Sequence, residues 1–435
     1  MQVSLENVGK LERRLTVSVP AEKLESKISQ QLRELARSVR LNGFRPGKVP
    51  AKVIEQRFGA KVRSDAISEV INESFHAALR QENLRPAVPP SIETTGLPSD
   101  GEFRFTATFE VMPEIGQIDV SGLKVKRPTA KVEEADIDNM IETLRLQRRT
   151  WTPVERPAAN GDMVMFESYV TVGDDRVPAE GVERSGTIIG SNVIPAEIEQ
   201  RLMGATAGQQ IEFEMAFPAE HRAVQLAGKT GTVHLNVVRV SEGVLPEIDE
   251  AFMASFGISE GGIEKFRAEV RANLERELRG ALMQRLKADV VSRLLEAHAD
   301  LELPGRMIEA EARGLARQAE EQARRNGQPN AQVSPEAMLP MARQRVAAAV
   351  LLGELARQNQ IRLDPARLRE TLISIASTYE EPMQVVELYE KDEQLMRGLE
   401  SRVIEDQLID WIADHADLTV QELTFAEVMR PNAAA

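Results

Sequence analysis

The octet Gly43-Phe44-Arg45-Pro46-Gly47-Lys48-Val49-Pro50 packs two glycines and two prolines into eight residues. Proline lacks the amide hydrogen that a helix interior or a ladder needs, and glycine is the least restrained residue, so the octet is a loop. It divides an N-terminal pattern in two. Upstream, residues 11–19 alternate, with Leu11, Leu15, Val17 and Val19 on one parity, which predicts a strand. Pro20 then opens a helix whose apolar residues Leu24, Ile28, Leu32, Leu35 and Val39 fall at helical spacing, with Asn42-Gly43 as its stop signal. Downstream, the spacing predicts a helix around Val62, Ala66, Val70, Phe75 and Leu79. An alternating strand follows through Phe103, Phe105, Ala107, Phe109 and Val111. Strands bracketing helices predict a compact α+β domain over residues 1–112.

The charge distribution singles out the same region. The chain carries 54 Lys and Arg against 68 Asp and Glu, a net of −14, so bulk charge excludes a general nucleic-acid binder. Residues 1–112 nevertheless hold 17 basic and 14 acidic side chains. Within 33–63 nine are basic (Arg33, Arg37, Arg40, Arg45, Lys48, Lys52, Arg57, Lys61, Arg63) and only Glu34 and Glu55 are acidic. Two readings fit such a stretch: a solvated helix face, or a surface offered to an anionic partner.

At 435 residues the chain is too long for one core, and roughly two to four domains are expected. Hydrophobic residues at 42% and charged residues at 28% are ordinary for a globular chain and argue against disorder. Residues 113–150 read as an extended connector with a charged helix over 133–149. From 151 to 243 short β-rich runs (163–172, 210–217, 231–240) are separated by Gly, Pro and Asp turns, which predicts a small β-rich domain. From 244 to 435 Ala, Leu, Glu, Gln and Arg dominate and the chain reads as helical. Two of these helices stand apart. Val270, Leu274, Leu278, Leu282, Leu286, Val290 and Leu294 recur every fourth residue, so at 3.6 residues per turn the stripe winds around its helix and meets several neighbours in turn. Residues 309–325 hold one large apolar side chain, Leu315, which predicts a helix that projects into solvent or bridges units.

Cofactor chemistry has little to stand on. Cysteine is absent, which removes disulfides and thiolate sites together. The five histidines (His76, His221, His234, His298, His415) show no metal-ligand spacing, so no metal and no cofactor are expected. Residues 223–230, AVQLAGKT, mimic a phosphate loop, but the leading glycine is missing and a strand pattern follows where a helix N-terminus is required. The longest apolar run, 346–352, is seven residues, far short of the ~20 that span a bilayer. With no basic start and apolar stretch at the N-terminus, the expected location is the cytoplasm.

In this setting the octet resembles the ribosome-docking signature of the trigger factor family, Gly-Phe-Arg-x-Gly-Lys-x-Pro. Met1-Gln2-Val3-Ser4 and Gln56-Arg57-Phe58-Gly59 are similar to that family as well, and the resemblance runs over essentially the whole chain. It implies a multidomain α+β protein: a ribosome-docking domain (1–112), a connector (113–150), a β-rich FK506-binding-like prolyl isomerase domain (151–243), and an all-helical chaperone domain with arms (244–435). It implies an ATP-independent chaperone that holds nascent polypeptides and assists their folding and export. The implied partners are the large ribosomal subunit near the exit tunnel, both protein and RNA, and a second copy of the chain off the ribosome; no membrane is involved. Gly43, Phe44, Arg45, Pro46, Gly47, Lys48 and Pro50 would be the docking residues. Physically, an exposed Phe44 beside Arg45 and Lys48 offers an apolar anchor with cations for an RNA-rich surface. The alternative is that Phe44 tucks into its own domain.

The middle domain departs from its family. Prolyl isomerisation is slow because amide resonance must be broken, and a dry aromatic pocket eases it by favouring the less polar twisted state. Isomerases of this type line the pocket with aromatic residues. The matching positions here are Ser168, Val177, Ser185, Ile198, His221 and Val233, none of them Phe, Tyr or Trp. Val193, Ile194, Pro195 and Phe217 persist. The resemblance therefore implies a residual prolyl-peptide pocket of Val193, Ile194, Pro195, Ile198, Phe217 and Val233, with weak isomerase activity and no assigned catalytic residue. Phe166, Tyr169 or Phe213 could refill the pocket, in which case the protein is mainly an active isomerase. A plain helical scaffold is the third reading.

Overall fold

Residues 12–20 and 102–110 alternate because one face of each is wholly buried. The computed structural model describes residues 1–39, 41, 44, 49–94, 101–221, 223, 225–328, 331–379 and 381–430. They fall into two compact units, Met1–Thr129 with Leu282–Glu422, and Ala130–Ala281 with Leu423–Ala435.

The first unit opens with β1 (Gln2–Asn7) and β2 (Glu12–Pro20), then α1 (Ala21–Ser38), α2 (Ala51–Gln81), β3 (Ser91–Thr94) and β4 (Glu102–Glu110). The strands form an antiparallel sheet in the order β1-β2-β4-β3, with Leu15 opposite Ala107 and Val17 opposite Phe105. Leu15, Val17, Val19, Phe105 and Phe109 are sealed against Leu24 of α1 and Ala66, Val70, Phe75 and Ala78 of α2. Phe75 meets Phe109 edge-on at 5.4 Å. α1 stops at Ser38, short of the Asn42-Gly43 signal: β-branched Val39 takes extended backbone (φ −70°, ψ 137°), and its N–H closes the last turn on the Leu35 carbonyl. Asn42 and Gly43 lie outside the described residues. α2 starts directly after Pro50 and runs for 31 residues, longer than its apolar pattern suggests. Lys27 of α1 ties the two helices by reaching Glu69 (2.6 Å) and Glu73 (3.1 Å), and these hydrogen bonds hold its ammonium above the ordinary lysine value.

β5 (Lys124–Thr129) completes this part of the chain. Residues 115–125, read as connector, are built into a core: Ile118, Val120, Leu123 and Val125 are all buried.

The second unit contains α3 (Glu134–Gln147), β6 (Thr150–Val154), β7 (Met163–Val172), β8 (Asp175–Val177), β9 (Glu183–Ile188), α4 (Ala196–Leu202), β10 (Gln210–Ala216), β11 (Thr230–Val244) and α5 (Glu250–Ala254). The antiparallel sheet runs β10-β11-β7-β8, with β6 on β11 and β9 on β7. Its inner face (Val164, Phe166, Val233, Leu235, Val237) packs with Leu202 of α4. α6 (Gly262–Ala297) is the winding helix. Phe266, Val270 and Leu274 join α3 and α5 in a second core of this unit, whereas Leu286, Val290 and Leu294 belong to a core of the first unit. The four-residue period therefore serves two different cores in succession, as the drift requires.

The remaining helices of the first unit are α7 (Gly305–Arg325), α8 (Pro335–Gln358), α9 (Pro365–Ala376), α10 (Pro382–Lys391) and α11 (Glu393–His415). Ser334, Asp364 and Asp392 accept backbone N–H bonds at the starts of α8, α9 and α11, which fixes where those helices begin. α7 is less solitary than its composition suggests. Its small residues Ala312 and Ala316, with Leu315, are buried, and Leu315 packs with Ala342 of α8; antiparallel pairing is pinned by Arg345 on Glu311 and the Val333 N–H on Glu320. The C-terminal region is also not purely helical. β12 (Asp417–Glu422) pairs in parallel with β5, nearly three hundred residues earlier, a long-range partner that no local pattern announces. A short α12 (Phe425–Met429) follows, with Thr424 and Glu427 forming a capping box.

Candidate functional site

Three regions hold the residues that the sequence singles out. At the octet, Val49 is buried and Pro50 is the N-cap of α2 with extended backbone (φ −61°, ψ 138°), so the loop joins the helix through a residue that cannot continue it backwards. Phe44 is 41% exposed and donates its backbone N–H to the Leu41 carbonyl at 3.1 Å. Gly43, Arg45, Pro46, Gly47 and Lys48 lie outside the described residues. Around the octet, Arg33 and Arg37 of α1 and Lys52, Arg57, Lys61 and Arg63 of α2 are exposed, and none forms an ion pair with a described residue. Lys27, at the other end of α1, does. The positive stretch is thus uncommitted near the loop.

In the β-rich region Ile194, Ile198, Phe217, Val233 and Val177 come together in one apolar cluster with Phe166 and Phe213. Val193 does not join them: it is 79% exposed, because the loop before α4 turns it outward. Pro195 is exposed and serves as the N-cap of α4. Tyr169 is turned to the other face of β7, where its ring stacks on His234 at 4.4 Å beneath the Arg176 guanidinium, so Tyr169 does not refill the pocket. Phe166 and Phe213 do belong to the cluster. His221 packs edge-on against Phe217, centroids 5.1 Å apart, and its Nδ1 accepts the Ala223 N–H at 3.1 Å.

Two buried acids of this region escaped the sequence reading. Asp162 accepts both guanidinium nitrogens of Arg156 (2.5 and 3.0 Å) and the Ala159 N–H (2.8 Å); the Arg156 bonds hold its carboxyl below the ordinary range against the opposing effect of burial. Glu199 of α4 is buried as well. Among so many carboxylates neither carries a local signal of burial.

In the helical region exposed apolar side chains gather on and around α9–α11: Ile373, Tyr379, Met383 (69% exposed) and Leu388. Of the methionines in this region, Met341 is exposed, Met307 is half-buried, and Met338 packs against Leu315. Among the described residues no group of three His, Asp or Glu side chains is placed to hold a metal ion, and no helix is long and apolar enough to cross a membrane.

Residues 1–144 match the family model described as bacterial trigger factor protein, and residues 262–414 match that of the bacterial trigger factor C-terminus. Over 433 residues, 99% of this chain and 100% of the relative, the sequence is 51% identical to the trigger factor of Xanthomonas axonopodis pv. citri (strain 306). It is 48% identical, with the same coverage, to the trigger factor of Stenotrophomonas maltophilia (strain K279a). A solved structure described under "Promiscuous Substrate Recognition in Folding and Assembly Activities of the Trigger Factor Chaperone" aligns over 95% of this chain and 99% of that one, with 20% identity and a TM-score of 0.41.

Proposed function

The chain belongs to the bacterial trigger factor family, and on that premise we propose that it is an ATP-independent cytoplasmic chaperone that docks near the ribosomal exit tunnel and holds nascent chains. Gly43, Phe44, Arg45, Pro46, Gly47, Lys48 and Pro50 are the docking residues, within a domain of residues 1–112. The observation that carries this reading is an exposed Phe44 between two helices, α1 and α2, that expose six cations which no described carboxylate neutralises. Ribosomal RNA and protein supply the anions and the apolar recess such a surface lacks on its own. The test is co-sedimentation with bacterial ribosomes after replacing Phe44, Arg45 and Lys48 with Ala. The triple variant stays folded and leaves the ribosome pellet. Binding of the unaltered protein also falls as salt rises, since the Debye length is only ~8 Å at physiological strength. Unchanged co-sedimentation overturns the assignment.

Holding is assigned to the helical domain, about 244–435, through exposed Ile373, Tyr379, Met383 and Leu388. Dispersed apolar side chains bind many sequences weakly because no pocket demands one of them. The β-rich domain, 151–243, retains a prolyl-peptide pocket of Ile194, Ile198, Phe217 and Val233, with Val193 and Pro195 at its edge. Its isomerase activity is weak, because at the family's lining positions aliphatic, hydroxyl and imidazole groups replace rings. Phe166 and Phe213 in the same cluster favour the alternative of an active isomerase. kcat/KM of the full chain on a short proline peptide, compared with that of an aromatic-lined relative, separates the two. Thr150 of β6 pairs with Val244 of β11, so the two ends of the β-rich domain are neighbours and it can be excised with a short bridge. The shortened chain still suppresses aggregation if holding resides where we place it.

A further inference from the structure

We propose that Glu199 is a positioning residue of the residual prolyl-peptide pocket, its carboxylate locking the loop of residues 190–194 to α4; this rests on the pocket reading above. Glu199 is 6% exposed. Burying a carboxylate is expensive unless hydrogen bonds replace its water. The replacement here is main-chain: Oε1 accepts the N–H of Gly190 at 2.9 Å and lies 3.4 Å from the N–H of Asn192.

Those two amides need an acceptor from outside the loop. Gly190 (φ +88°) and Asn192 (φ +54°) both take left-handed backbone, which turns the chain sharply out of β9. Only the Ser191 N–H between them finds a main-chain partner, the Ile188 carbonyl at 3.0 Å. Glycine suits position 190 on two counts, its left-handed backbone and the exposed Asn160 side chain, whose Oδ1 would lie 2.0 Å from a Cβ there. The loop is therefore held by Glu199 and not by main-chain bonds of its own at these two amides.

Its product is the placement of one wall of the pocket. Two residues beyond Asn192, Ile194 enters the apolar cluster; one residue before Glu199, Ile198 enters it from α4. The Pro195 carbonyl joins the two walls by accepting the Ile198 and Glu199 N–H groups, and the Glu199 side chain adds the tie that reaches back to the start of the loop. Leucine at position 199 would bury as well but could accept neither N–H. The lock matters more in this chain than where large rings fill the cleft. Small aliphatic walls grip a peptide only while they stay at van der Waals distance, and dispersion falls steeply with a gap of 0.5–1 Å.

The experiment uses the full chain with labelled isoleucine δ1-methyl groups and the tetrapeptide Ala-Ala-Pro-Phe as probe. Its dissociation constant is read from the Ile194 and Ile198 signals, which report this pocket and not the helical domain. Glu199→Ala weakens binding at least five-fold. Glu199→Asp, which keeps the charge but is one methylene too short, does the same. Glu199→Gln retains an acceptor at Oε1 and stays within two-fold of the unaltered chain. Val237→Ala, a core truncation on β11, lowers thermal stability without changing the constant, which separates positioning from general destabilisation. If Glu199→Ala and Glu199→Asp bind as tightly as the unaltered chain, the role of Glu199 is refuted and the pocket stands. If the peptide leaves both isoleucine signals of the unaltered chain unmoved, the pocket reading fails and this proposal with it.

Discussion

The N-terminal sheet and the α7–α11 region both belong to the first unit, yet they bury apolar surface in opposite ways. The sheet with α1 and α2 seals fifteen hydrophobic residues into one cluster, four of them Phe. In the second region the C-terminal part of α8 and of α11 joins a core of fourteen with α6 and residues 118–125, but among the described residues the outlying α7–α8 hairpin buries a cluster of only three, Ala312, Leu315 and Ala342, and the α9–α10 end another of three, Leu372, Leu399 and Val403. What the second region fails to bury it displays, as at Tyr379 and Met383. A thick core holds a framework rigid enough to present one loop of defined sequence. Thin cores leave apolar side chains available to partners of any sequence. The first arrangement suits a fixed docking surface and the second a holding surface.

Truncating each core is the most direct way to break this contrast. Phe109→Ala removes a fully buried ring that meets Phe75, and about 3–5 kcal/mol of local stability is expected to go with it. Leu315→Ala removes the one large residue of the α7–α8 cluster. There the half-buried Ile308 and Met338 can move into the space beside the small Ala312 and Ala342, so the loss stays near about 2 kcal/mol, the low end for such truncations. Native-state hydrogen exchange measures both in the intact chain, which a single melting curve of a multi-unit protein cannot do. Equal losses at the two sites would show that the helical hairpin is as firmly packed as the sheet.

Asp162 extends the contrast to the second unit, where a β core is closed by a charge rather than by rings alone. Hydrogen bonds from Arg156 depress its carboxyl, so its contribution is complete above the ordinary carboxylate range. It is lost as the pH falls below about 4 and through the depressed folded value. Asp162→Asn is expected to cost about 2 kcal/mol at neutral pH, the scale of a charged hydrogen bond, and to flatten the acid limb of a stability–pH curve for the β-rich region. An acid limb unchanged by the substitution would assign the depression no energetic weight.

These differences also explain what the sequence disclosed. The start of α2 directly after Pro50 was legible because proline acts locally, and the winding of α6 because a period of four against 3.6 is arithmetic. The end of α1 was not, since Asn42-Gly43 is the stronger stop signal but Val39 turned extended first. β12 was hidden because its partner strand lies in β5, and parallel pairing over that separation leaves no mark on either segment. At the proposed pocket, the absence of Phe, Tyr and Trp from positions 168, 177, 185, 198, 221 and 233 could be read position by position. Glu199 could not, because an acid on a short helix reads as solvent-facing until the loop that folds over it is known. Val193 was misplaced for the same reason: the left-handed Asn192 that turns it outward is a property of the turn and not of its hydropathy.

The smallest stability effect is expected where the functional effect matters most. Tyr379, Met383 and Leu388 are all more than half exposed, and none belongs to the buried set that closes α9–α11. Replacing all three with Ser removes apolar atoms that water already reaches, so each substitution stays within ~0.5 kcal/mol and the fold is kept. Holding depends on those same atoms. Weak binding to many sequences is the sum of small apolar contacts, about 25 cal/mol for each Å² removed from water, and three long side chains supply much of that area. The triple Ser variant should therefore need several-fold more protein to suppress aggregation of a refolding client, while it co-sediments with ribosomes like the unaltered chain. The Phe44, Arg45 and Lys48 variant should show the reverse pattern, full suppression in free solution and no ribosome binding. If instead both variants lose both activities together, docking and holding share one surface, and the division between a firmly packed region that docks and a thinly packed region that holds does not describe this chain.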